Sequence, residues 1–175
     1  ENERYTYTQA HQQVAAIANW LSKQGLQPGD RVAIAMRNYP EWVVAYWATV
    51  SVGAALVGMN AWWTPSEMEY ALKDSEPKVL IVDGERLERL VQITDAPAMH
   101  LVVARHKGSM PTGAVSWADA LSGTDPGSLP NIEIEPEDDA TIFYTSGTTG
   151  FPKGAQLTNR GSVSNILNIA AMTGA

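Results

Sequence analysis

The chain has 175 residues, 45% of them hydrophobic and 18% charged, which suffices for one globular core and is short for two. It holds no cysteine, which leaves out disulfides and thiol chemistry and fits a reducing cytoplasm. A net charge of −7 repels phosphate backbones at long range and argues against nucleic acid as a partner.

The opening ENERYTYTQA has no basic region leading into an apolar stretch, so it does not read as a signal peptide. It also lacks an initiator Met, and the expectation is an excerpt of a longer protein. Thr8 is the expected N-cap of a first helix, with Val14, Ile17, Ala18 and Leu21 on one face and Gly25 at its end. QPGD reads as a turn and RVAIAM (31–36) as a buried strand, after which Asn38 and Pro40 open a second helix. Residues 42–63 carry no charge, and their length raises a membrane span. Gly53, Gly58 and the polar Thr49, Ser51 and Asn60 favour instead a buried helix to Val52 and a strand over 54–59.

Thr64-Pro65-Ser66-Glu67 is a capping box with proline at the first helical position. The helix it opens turns Met68, Ala71 and Leu72 inward and sets Glu69 one turn before Lys73. KVLIVD (78–83) is the next strand, Leu87, Leu90 and Val91 mark a helix, and HLVVAR (100–105) is a further strand. Residues 106–139 are rich in Gly, Pro and acid, with one short helical stretch at SWADALSG, and read as an irregular connection. ATIFYT (140–145) is a strand, and a last helix begins near Thr158 with Val163, Ile166, Leu167 and Ala170 on one face. Short, almost wholly apolar strands alternating with helices predict an α/β fold, a parallel sheet covered on both faces. The expected divisions are an α/β subdomain over 1–105, the connection over 106–139, and strand, loop and helix over 140–175.

YTSGTTGFPKG (144–154) follows the last strand. Its glycines let successive N–H groups point at one spot; Thr145, Ser146, Thr148 and Thr149 add hydroxyls, and Lys153 adds a cation. Every one of these groups donates a hydrogen bond and no carboxylate intervenes, which suits a phosphate chain placed at the carboxyl end of a sheet strand. It is not a Walker A loop, because Pro152 precedes Lys153 and Gly154 follows it. Nor is it a serine-hydrolase elbow, since Tyr144 stands two before Ser146.

The run T-S-G-T-T-G-x-P-K-G resembles, without a departure, the phosphate-binding signature of the AMP-forming adenylating enzymes: acyl-CoA synthetases, luciferases and the adenylation domains of peptide synthetases. The resemblance extends upstream over residues 5–83 and the acidic lead-in EDDATIFYTSGTTG, and is weakest over 106–136. Asn159 departs from it, since many relatives have His there. GMNAWWTPSEMEYALKDSEPKVLIVD looks most like bacterial fatty-acid–CoA ligases.

The resemblance implies the first part of a large N-terminal domain that activates a carboxylic acid, a fatty acid on this reading. The acid would pass through acyl-AMP to acyl-CoA, with ATP, Mg²⁺ and coenzyme A, releasing pyrophosphate and AMP. It places Thr145, Ser146, Gly147, Thr148, Thr149, Gly150, Lys153 and Gly154 on the ATP phosphates, and Thr145 near Mg²⁺. The adenylation lysine, most of the acyl pocket and the C-terminal domain would lie beyond residue 175, so no catalytic residue is assigned within 1–175 and this segment alone is expected to be inactive. The implied partners are small molecules, and the implied location is cytoplasmic, with peripheral contact at the inner membrane face left open. An acyl-AMP ligase, an amino-acid adenylation domain and a noncatalytic nucleotide-binding or interaction module are the alternatives. Trp62 and Trp63 read as packing anchors before an acyl tunnel, and Glu133, Glu135, Glu137, Asp138 and Asp139 as a solvated lead-in before a metal site.

Overall fold

The computed structural model describes residues 3–145 and 152–174. Helix α1 (Tyr7–Lys23) is capped by Thr6, two residues before the expected Thr8. Gln9 decides this. Its backbone N–H donates to Thr6 Oγ1 at 3.2 Å, and its side-chain oxygen accepts the Thr6 N–H at 2.9 Å, a reciprocal pair that Thr8, with His11 three residues on, has no means to form. The 27–30 turn closes as expected, with Gly29 at φ 84° and the Asp30 N–H donating to Gln27 O at 3.0 Å.

Strand β1 (Arg31–Ala35) leads to helix α2 (Pro40–Ser51), which starts on its proline. Gly53, at φ 69°, then turns the chain into β2 (Ala55–Gly58). The uncharged 42–63 stretch is therefore a helix followed by a strand, and no described helix is long and apolar enough to cross a membrane. Helix α3 (Pro65–Ser75) carries the expected capping box on Thr64 and Glu67. Strand β3 (Val79–Asp83), helix α4 (Gly84–Leu90) and strand β4 (His100–Ala104) follow.

The 106–139 segment is less irregular than its composition predicts. It contributes a two-residue strand β5 (Val115–Ser116) at the sheet edge and helix α5 (Trp117–Ser122), whose Trp117 and Ala120 enter the core. Strand β6 is Asp139–Thr145, β7 is Lys153–Thr158 and helix α6 is Asn159–Thr173.

The sheet runs β5-β4-β3-β1-β2-β6-β7. Every pairing is parallel except β6 with β7. Successive side chains of one strand point to opposite faces, and both faces are packed. Val32, Ile34, Leu56, Val79 and Ile81 meet Ile17 and Leu21 of α1 and Val44 of α2 on one side. On the other, Ala33, Val57, Leu80 and Val82 meet Met68 and Leu72 of α3 and Leu87 of α4.

Two helices are buried differently from what their apolar residues alone suggest. In α4 the inward residues are Leu87 and Arg86, while Val91 is 66% exposed. In α6, Val163, Ile166 and Leu167 do share a face, but no described residue of the helix is buried. That face would need cover from elements other than those described.

Candidate functional site

Strand β6 runs parallel to β2, with Gly58 opposite Phe143, so its last residues reach the carboxyl edge of the sheet, where open α/β folds bind ligands. A Cβ on Gly58 would lie 2.5 Å from a ring carbon of the exposed Phe143, so that ring would have to shift. Thr145 ends β6 and Lys153 begins β7, and the two are register partners across an antiparallel pair. Thr145 Oγ1 is 3.5 Å from Lys153 O. The hydroxyl and the ammonium-bearing residue thus flank the start and end of the glycine-rich run, both exposed.

This corrects one element of the sequence reading. The run was expected to connect a strand to a helix, whereas it connects two strands of a hairpin. Helix α6 starts only after the six residues of β7, about 17 Å away at the rise of an extended strand. The N-terminus of α6, capped by Thr158 through the Gly161 N–H at 3.1 Å, therefore stands a strand's length from Lys153. KGAQLT hides its strand character: it has one large apolar residue and lies exposed at the sheet edge, so no apolar period marks it.

Of the predicted residues, the structure brings Thr145, Lys153 and Gly154 together. Ser146, Gly147, Thr148, Thr149 and Gly150 lie outside the described residues. Gly154 pairs with Tyr144, and a Cβ on it would stand 3.0 Å from Ile142 Cγ2 and 3.4 Å from Tyr144 Cζ. Its place in the motif thus has a packing reason as well as a chemical one.

Sequence reasoning missed the support behind the hairpin. The Tyr144 hydroxyl donates to Asp74 Oδ2 at 2.6 Å, and its ring meets Trp63 edge to face at 5.7 Å. Burial, and then the Asp74 carboxylate, hold the Tyr144 phenol well above the usual tyrosine range. The Asp74–Tyr144 contact joins residues 70 apart, and no local pattern announces it.

The two tryptophans divide. Trp63 is buried, as a packing anchor should be, whereas Trp62 is 66% exposed, with the Arg37 guanidinium 4.6 Å above its ring. Arg37, Asn38, Tyr39, Ala61 and Trp62 line a cavity of about 560 Å³. It opens beside the carboxyl end of β1, where β2 and β3 depart to opposite sides. Buried Arg86 lies below, donating to Asp83 at 3.1 Å and to Ala61 O at 2.6 Å. Arg89 donates to the Ala61 and Trp63 carbonyls, so two guanidinium groups fix the 61–63 turn.

The acidic lead-in is structural. Asp138 accepts the Glu135 N–H at 2.8 Å, Glu137 pairs with Arg160, and Asp139 accepts from Gln156 at 3.2 Å. Among the described residues no group of three or more His, Cys, Asp or Glu could hold a metal ion. Thr145 offers a single hydroxyl, while Mg²⁺ asks for six oxygens and takes most from water and phosphate. The described residues therefore do not form a Mg²⁺ site by themselves.

A mostly parallel sheet with helices on both faces and this hairpin at its carboxyl edge is the architecture of the N-terminal domain of acyl-CoA synthetase-like folds. It superposes on the anthranilate–CoA ligase AuaEII in complex with anthranoyl-AMP with a TM-score of 0.85, at 30% identity over 91% of this chain and 30% of that one. It superposes on ATP-bound MatB from Rhodopseudomonas palustris with a TM-score of 0.79, at 31% identity over 97% and 32% of the two chains. In sequence it is 30% identical over 162 residues to 4-coumarate–CoA ligase 2 of Nicotiana tabacum, covering 93% of this chain and 29% of that protein. The pattern of the AMP-binding enzyme family matches residues 1–175, and the chain belongs to that family. It spans about three tenths of the length of the relatives it matches.

Proposed function

We propose that the chain is the N-terminal part of an ATP-dependent, adenylate-forming CoA ligase. The observation that carries this is that Thr145 and Lys153, which belong to the T-S-G-T-T-G-x-P-K-G sequence, are paired at the carboxyl edge of the sheet where β6 ends and β7 begins. In the proposed reaction a substrate carboxylate attacks the α-phosphate of ATP, giving acyl-AMP and pyrophosphate, and the CoA thiol then displaces AMP. Thr145 and Lys153 would donate to the β- and γ-phosphates and offset the charge that gathers on the departing pyrophosphate. Mg²⁺, when bound, would supply a further counter-charge to the same oxygens.

The substrate is a carboxylic acid. A fatty acid is the narrower reading and rests on the resemblance of residues 58–83. The names of the relatives, which include 4-coumarate, anthranilate and 4-hydroxybutyrate ligases, support instead an acid that need not be a fatty acid. The test is carboxylate-dependent exchange of pyrophosphate into ATP by the full-length protein, with panels of fatty, aryl and short hydroxy acids, followed by CoA addition. Exchange with some acid and acyl-CoA on adding CoA are expected. ATP turnover indifferent to every acid would overturn the reading.

A further inference from the structure

We infer that Tyr144 is a positioning residue for the phosphate-facing end of the β6–β7 hairpin, acting through its hydrogen bond to Asp74; this rests on Thr145 and Lys153 being ATP contacts. Tyr144 immediately precedes Thr145 and is the register partner of Gly154, which immediately follows Lys153. Whatever fixes Tyr144 therefore fixes both strand ends beside the glycine-rich run.

Three contacts fix it. The ring lies against Gly154, where an added Cβ would stand 3.4 Å from it; Trp63 stands edge to face on it; and the hydroxyl donates to Asp74 at 2.6 Å. Asp74 is itself held. It sits near the end of α3, and that end is pinned to the centre of the sheet: Arg31 donates through Nε to Ser75 O at 2.7 Å and through Nη2 to Glu76 O at 3.1 Å. At its other end α3 is held by the Thr64–Glu67 capping box and by Arg89 on the Trp63 carbonyl. The hydroxyl thus ties the hairpin to a helix braced at both ends.

The hairpin needs such a tie. All six residues of β7 are exposed or half-exposed, and α6 buries nothing over it. The side-chain bonds Gln156–Asp139, Arg160–Glu137 and Asn159–Asp138 stay within the 137–160 stretch. Ring packing alone would be served by phenylalanine, so the hydroxyl is the informative atom. Burial and the Asp74 carboxylate keep it protonated, hence a donor, across any working pH.

The experiment is steady-state kinetics on the full-length protein for Tyr144→Phe, Asp74→Asn, Asp74→Ala and the Tyr144→Phe/Asp74→Ala double variant, with Lys153→Met in parallel and thermal melting throughout. Tyr144→Phe should lower kcat/KM for ATP about threefold to thirtyfold, less than the roughly ten- to hundredfold worth of a hydrogen bond to a charged acceptor because the hydroxyl acts through the hairpin, and leave KM for the acid unchanged. Asp74→Asn, which keeps an acceptor oxygen, should restore most of what Asp74→Ala loses. The double variant should be no worse than the poorer single one. If Lys153→Met impairs ATP use and Tyr144→Phe does not, the positioning role is refuted while the phosphate reading stands. A drop of equal size in every kinetic constant with a lowered melting temperature would reduce Tyr144 to a packing residue and refute it too. If Lys153→Met leaves ATP use unchanged, the phosphate reading fails and the inference falls with it.

Discussion

Asp83→Ala should be among the most destabilising single substitutions in this chain. Asp83 is 2% exposed and Arg86 0%, so the ion pair between them is wholly removed from water. The carboxylate accepts the Arg37 N–H at 3.0 Å, the Arg86 N–H at 2.9 Å and Arg86 Nη1 at 3.1 Å. It is at once the N-cap of α4, the latch on the chain leaving β1, and the counter-charge of a buried guanidinium. Truncating it leaves Arg86 with Glu85, whose side chain is 49% exposed, and the Ala61 carbonyl. Removing one partner of a buried pair costs about 3–5 kcal/mol. The lost cap, about 1 kcal/mol alone, shares atoms with the pair and does not add in full. For a domain of this size the total converts to a fall of about 6–20 °C in melting temperature. Asp83→Asn keeps an acceptor for the α4 cap and should fall between wild type and alanine. Urea unfolding followed by far-UV circular dichroism and tryptophan fluorescence measures both. A loss for Asp83→Ala below about 1 kcal/mol, the worth of an exposed pair, would refute the argument that burial makes this carboxylate indispensable.

Lys153→Met removes one charge-assisted hydrogen bond to phosphate and should lower kcat/KM for ATP about ten- to a hundredfold at unchanged melting temperature; an unaltered value would return the lysine to solvent. The Glu67 carboxyl titrates below its usual value because the Thr64 N–H and hydroxyl donate to it. A lowered folded value stabilises above the unfolded value and is lost as pH falls through the folded one, so the lead of wild type over Glu67→Gln should be present near neutrality and shrink as pH falls below the usual carboxyl value of about 4.3 and through the folded one. Melting curves across that window check it, and a lead that grows on acidification would reverse the sign. Gly154→Ala should cost about 1 kcal/mol through the crowding at Ile142 and Tyr144, read in the same melts; a raised melting temperature would mean that strand propensity outweighs the contact.

The parts of the fold legible in the sequence are those whose cause is local. Four parallel strands announce themselves as short apolar runs, and the α3 capping box is complete within Thr64–Glu67. What escaped depends on distant partners. Val91 looks inward by period, yet the buried position is Arg86, because its acceptors come from Asp83 at the end of β3 and Ala61 before α3. The irregular composition of 106–139 conceals strand β5, which exists only against β4, although the helix at SWADALSG was legible. Strand β7 did not show, because an exposed edge strand carries no burial pattern. The Tyr144–Asp74 contact was invisible for the same reason as Arg86: seventy residues separate its ends.

Gly154 has a consequence for errors of assembly. An edge strand open on both faces has little to stop it sliding by one residue against its neighbour, and such a slide sends every side chain to the opposite face. Here a slide would bring Lys153 or Ala155 to the spot facing Ile142 and Tyr144, where even a bare Cβ stands 3.0 Å from a methyl group. Any residue but glycine makes Ile142 give way there, so the true alignment is favoured over its two neighbours. The glycine in effect keys β7 to β6, and it thereby determines which face of the hairpin carries the ammonium of Lys153, independently of any contact the glycine makes with a ligand.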